Sequence, residues 1–63
     1  MPAVTALMTP AEVATYLGVK PKTLEGWRYK RTGPPFIKSG RVVRYRADAL
    51  QEWLDQSEVA TSA

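Results

Sequence analysis

No cysteine and no histidine occur among the 63 residues. Their absence excludes a disulfide framework and every Cys/His zinc site, and it removes the commonest general base. No apolar run approaches the roughly 20 residues that a membrane span needs. The opening residues, MPAVTALMTP, lack the basic start of a secretory signal. A soluble intracellular chain without metal or cofactor is the expectation. Phenylalanine occurs once and tryptophan twice, so few large side chains can fill the interior. A chain of this length has room for one domain, and it buries only roughly 60 % of the surface its unfolded form exposes.

Charge is present, and it is segregated. All nine Lys and Arg residues fall between Lys20 and Arg46, where Glu25 is the only acid, a local charge of +8. The flanks carry Glu12, Asp48, Glu52, Asp55 and Glu58 without a base. Scattered charges of both signs read as a solvated surface, whereas one continuous basic segment reads as a face for a polyanion.

The local signals then divide the chain. Thr9, Pro10 and Glu12 form a helix start: Thr9 as cap, Pro10 at the first helical position, Glu12 completing a capping box, with Met8 and Val13 placed for a hydrophobic staple. Val13, Ala14 and Leu17 share a face, and Gly18 supplies the left-handed residue that ends the helix. Pro21 begins a second helix after a very short turn, with Leu24, Trp27 and the stem of Arg28 inward and Lys22, Glu25, Gly26 and Tyr29 outward. This spacing fits a helix-turn-helix, and an ordinary helical hairpin fits it as well.

Thr32-Gly33-Pro34-Pro35 breaks the second helix, because neither proline continues it. Phe36-Ile37-Lys38 and Arg41-Val42-Val43-Arg44-Tyr45 then flank Ser39-Gly40, which suits a two-residue hairpin turn. That turn predicts Lys38 opposite Arg41, Ile37 opposite Val42 and Phe36 opposite Val43, with Phe36, Val43 and Tyr45 on the core face. Like charges at the tip are either a tolerated cost or a pair placed beside an anion. Asp48 reads as the cap of a third helix, with Gln51 as its partner and Leu50, Trp53 and Leu54 as its apolar face. Both tryptophans sit at helical spacing with leucines, so core outweighs ligand contact for each.

In this order, LMTPAEVATYLGVKPKTLEGW, GPPFIKSGRVVRY and DALQEWL resemble the small winged helix-turn-helix modules related to MerR, found in phage excisionases and AlpA-type regulators. The resemblance implies a mainly α fold with a small β-hairpin, and the weak patterning of the ends places the folded domain at residues 7–56 with flexible tails at 1–6 and 57–63. It also implies that the second helix enters the DNA major groove while the hairpin wing approaches phosphates or the adjacent minor groove.

The DNA-contacting positions that follow are Lys20, Lys22 and Thr23 near the start of the second helix, then Glu25, Gly26, Arg28, Tyr29 and Lys30 along it, and Lys38, Arg41 and Arg44 on the wing. Physical chemistry agrees at several of them. A helix N-terminus favours phosphate, and arginine suits a narrow minor groove. Tyr29 can donate to a phosphate or cover a neighbouring loop.

Three positions depart from the family pattern. Glu25 stands where the family is often basic or polar, and a carboxylate beside DNA is repelled unless it accepts from a cytosine amino group. Gly26 weakens its helix by ~1 kcal/mol yet permits a close backbone approach. Val42 replaces a repeated arginine, either harmlessly or as a contact to a neighbouring protomer.

Catalysis is not expected, since no nucleophile and base pair is recognisable. Tyr16, Tyr29 and Tyr45 beside arginines would suit a recombinase nucleophile only in a far longer chain. A protein-binding or RNA-binding module is the rival class, although the paired sheet aromatics of single-strand binders are missing.

Within duplex-DNA binding, the reading is an excisionase, or recombination directionality factor. Copies would bind repeated sites side by side, bend the DNA and help a phage integrase excise. The alternative is a small AlpA-type regulator acting by promoter occupancy. The third helix is expected to end near Gln56 without a dimerisation helix or effector domain. The expected setting is the bacterial cytoplasm, with neither a membrane nor a small-molecule effector as partner.

Overall fold

The computed structural model describes residues 6–59. Thr9, Pro10 and Glu12 begin helix α1 (Pro10–Leu17) as their order predicts. The Glu12 N–H donates to Thr9 Oγ1 (3.1 Å), and the Thr9 N–H donates to Glu12 Oε1 (2.8 Å), a reciprocal box that satisfies two otherwise orphaned donors. The helix closes at Gly18, whose φ of 73° is left-handed. Gly18 N–H reaches Thr15 O (3.2 Å) and Val19 N–H reaches Ala14 O (3.0 Å), the pair of bonds that defines a Schellman ending.

Helix α2 (Pro21–Tyr29) follows, with Pro21 at its first position. It ends in the same way: Arg31 N–H donates to Arg28 O (3.1 Å) and Thr32 N–H to Trp27 O (2.8 Å). The left-handed residue here is Arg31, with φ 57°. The helix therefore stops ahead of the prolines, through its own terminal hydrogen bonds.

Strand β2 (Ile37–Ser39) and strand β3 (Val42–Arg46) form the expected hairpin in a different register. Ser39 lies opposite Val42, Lys38 opposite Val43 and Ile37 opposite Arg44. The turn residues are thus Gly40 and Arg41, and the predicted pairing of Lys38 with Arg41 does not occur. Gly40 has φ 60°. A two-residue turn with its positive φ at the first central position selects glycine there, which moves the turn one residue along the chain and the pairing by two. Because side chains alternate with period two, that shift preserves each face. Phe36, Val43 and Tyr45 do face the core, and the Phe36 and Tyr45 rings lie 6.2 Å apart at 51°.

A third strand was not anticipated. β1 (Leu7–Met8) pairs antiparallel with β3, Leu7 opposite Arg46 and Met8 opposite Tyr45, so the sheet order is β1-β3-β2. A two-residue strand carries no periodicity of its own, and its partner lies far along the chain. The addition also corrects the start of helix α3 (Ala47–Ser57). The Ala47 N–H donates to Ala6 O (2.9 Å), so the first helical donor is satisfied from the β1 segment. Arg46 takes the cap position without a side-chain bond, and Asp48 lies inside the first turn, accepting from the Ala49 N–H at 2.7 Å. Gln51 donates to Asp55, so it does not complete a box. Of the segments expected as tails, residues 1–5 and 60–63 lie outside the described residues.

Val13, Ala14, Leu24, Tyr45 and Leu50 form the buried centre, drawn from all three helices and β3. Full burial of an aliphatic side chain such as Leu24 contributes about 1.5–3 kcal/mol. Trp27 and Trp53 pack against this centre as the leucine spacing predicts, their rings 6.1 Å apart at 47°. Three helices with a small antiparallel sheet match the expected fold class. Among the described residues, no helix is long and apolar enough to cross a membrane.

Candidate nucleic-acid interface

Helix α2 and the β2–β3 hairpin converge on one open cleft of about 460 Å³. Glu25, Arg28 and Tyr29 line it from the helix, and Lys38 and Arg41 from the hairpin, together with the half-buried Phe36 and Val43. The two elements that carry the basic segment therefore share one side of the molecule. An adjoining hollow adds Arg31 and the Thr32–Pro35 turn while sharing Arg28, Tyr29, Phe36 and Lys38, so the trough is continuous.

The hairpin is held against α2 by a hydrogen bond that no local pattern in the sequence announces. Arg28 Nη1 donates to the hydroxyl of Tyr45 at 3.0 Å. Tyr45 is fully buried and belongs to β3, the strand that carries the wing. The bond satisfies a buried phenol and orients a half-buried guanidinium toward the cleft, with four N–H donors left over of the usual five. Tyr29, by contrast, is 90 % exposed on the helix and offers its hydroxyl to solvent. Arg41, in the turn, and Lys38 are both exposed at the wing tip.

Several expected positions lie outside the cleft. Lys20, Lys22 and Thr23 are exposed around the first turn of α2, where the Lys20 carbonyl accepts from the Thr23 and Leu24 N–H groups. Gly26 sits in the body of α2, and a Cβ added there would meet nothing within 4 Å. No neighbour within the chain therefore requires glycine at that point. Lys30 follows the last helical residue and is exposed, its N–H donating to Gly26 O.

Arg44 differs most from expectation. Paired with Ile37, it lies on the sheet face opposite Val43 and Tyr45, and its Nη1 donates to the Val43 carbonyl at 2.7 Å. Its charge acts on Glu12, whose carboxyl is held below the ordinary value first by the Thr9 N–H, then by the Thr9 side chain, with a smaller pull from Arg44.

Arg31 was overlooked in the sequence. Its type and its place beside Lys30 were visible, but its position in the trough depends on the left-handed turn after α2.

Two helices joined by a tight turn, with a hairpin wing and a cationic cleft between wing and second helix, define a winged helix-turn-helix domain. The model of the helix-turn-helix domain family matches residues 7–58. The chain belongs to that family, which includes small DNA-binding proteins of the excisionase and AlpA type. No curated protein matches the chain.

Proposed function

We propose that the protein binds double-stranded DNA sequence-specifically, with α2 in the major groove and the wing tip against the sugar-phosphate backbone. The observation that carries this reading is the shared cleft, where Arg28 from the helix meets Lys38 and Arg41 from the hairpin on one accessible surface. Lys20, Lys22 and Thr23 meet phosphate at the helix start, and Glu25, Gly26 and Tyr29 face the groove. Lys30 flanks the site at the end of the helix, and Arg44, on the opposite sheet face, lies outside it. Family membership supports the same reading. No step requires a cofactor or a catalytic group.

The finer role is that of an excisionase. Copies occupy repeated sites side by side, bend the duplex and bring an integrase into an excisive complex. Bending a short site costs of order 1–6 kcal/mol, which phosphate neutralisation and contacts between copies can offset.

Titration of duplex DNA at several salt concentrations tests the binding reading. Engagement of Lys20, Lys22, Arg28, Arg31, Lys38 and Arg41 with phosphates gives a log–log slope near about −5. A flat salt response, or a preference for single strands or duplex RNA, removes it. A purified integrase reaction tests the finer role: excision should rise when the protein is added. Promoter occupancy without bending or excision would assign the AlpA-type regulator instead.

A further inference from the structure

Glu25 is the single acid in the basic segment, and the structure gives it an unusual setting. It is exposed and lines the cleft beside Arg28, Lys38 and Arg41. Among the described residues, its carboxylate has neither a hydrogen bond nor an ion pair. A glutamate three residues before an arginine on a helix ordinarily pairs with it. Here the Arg28 guanidinium donates to the buried Tyr45 hydroxyl, and the carboxylate lies in the same cleft without an ion pair to it.

On a surface that receives a polyanion, a free carboxylate weakens binding to every duplex alike. One elementary charge about 6 Å from a phosphate lowers affinity about threefold in a water-like dielectric. Only a hydrogen-bond donor on a base edge can return what is lost. In the major groove, adenine presents its amino group beside the N7 acceptor, which repels a carboxylate, whereas cytosine presents an amino donor alone.

We propose that Glu25 determines base preference by accepting from a cytosine amino group in the major groove, and that Tyr45 is the positioning residue that holds Arg28 away from it. This rests on the duplex-DNA reading above.

The test is selection of bound sites from a random duplex pool by the full chain, Glu25→Gln and Tyr45→Phe, with circular dichroism confirming that each is folded. The unaltered protein should enrich cytosine at one position, where replacing that base weakens binding roughly 5- to 100-fold. Glu25→Gln should lose that preference in favour of adenine, which glutamine reads through paired bonds, and should bind random duplex about threefold more tightly. Tyr45→Phe should reduce the cytosine preference, because the released Arg28 can pair with Glu25. An unchanged selected sequence with Glu25→Gln overturns this inference alone. Failure of the unaltered protein to bind any duplex at low salt overturns the DNA reading and this inference with it.

Discussion

Replacing Arg31 with glycine should make the protein more stable. Both α1 and α2 end in the same pair of hydrogen bonds, but the left-handed position is Gly18 in one and Arg31 in the other. Arg31, with φ 57°, is the only non-glycine residue at positive φ among the described residues. A side chain in that region costs roughly 1–2 kcal/mol relative to the right-handed conformation. Glycine removes this strain and adds about 0.5–1 kcal/mol of unfolded-state entropy, so the net gain is about 0.5–1 kcal/mol. For a domain of this size, that raises Tm by about 2–8 °C.

Thermal unfolding followed by circular dichroism should be compared for the unaltered chain, Arg31→Gly and Arg31→Ala. Alanine keeps the strain and removes the charge, so its Tm should stay within about a degree of the unaltered protein. An Arg31→Gly protein that melts no later than the original refutes the reasoning, as does an alanine variant that gains equally. Because Arg31 borders the trough, both substitutions should lower the magnitude of the salt slope by about 1. The retained strain is then explained by a phosphate contact, the kind of cost that functional sites carry.

Gly26→Ala adds a methyl into open space on α2 and should stabilise the fold by about 0.5–1 kcal/mol. Fluorescence anisotropy should show weaker duplex binding by the same variant, and tighter binding would contradict a close backbone approach. Trp27→Ala removes a ring packed on Trp53 and should cost roughly 3–5 kcal/mol, enough to unfold so small a domain. Circular dichroism decides this, and a folded variant deficient only in DNA binding would make Trp27 a contact residue. Glu12 titrates below its ordinary value, so the folded state binds fewer protons than the unfolded state in that window. Its stabilising contribution is present above the usual glutamate pKa and is lost as pH falls toward the lowered one. Tm measured against pH should fall less steeply in this acid range for Glu12→Gln, and identical profiles would refute the capping-box account.

The helical parts of the fold were legible because their signals act within one turn. Thr9 and Glu12 are three residues apart, and each hydrogen bond they exchange closes a ring that the sequence itself spells out. The hairpin was legible in its faces but not in its pairing, since period-two alternation survives a shift of two residues. The site was legible in composition, because a basic segment broken by prolines has few ways to fold without presenting its charge. Its partition was legible only in part: alternation already sets Arg44 on the face opposite Val43 and Tyr45, whereas the place of Arg41, in the turn and lining the cleft, depends on the register.

By itself, then, the sequence determined the starts of α1 and α2, that α2 ends ahead of the prolines, the core role of both tryptophans and the cationic character of the middle of the chain. All of these follow from propensities, spacing and charge among near neighbours. Tertiary structure alone decided that Leu7 and Met8 join the sheet, that the turn falls at Gly40 and Arg41, and that Arg28 is tied to Tyr45 while Glu25 stays unpaired. The reason is physical. The β1 pairing and the Arg28–Tyr45 bond are settled by partners distant in sequence, and the turn by which of two locally acceptable turn positions Gly40 takes.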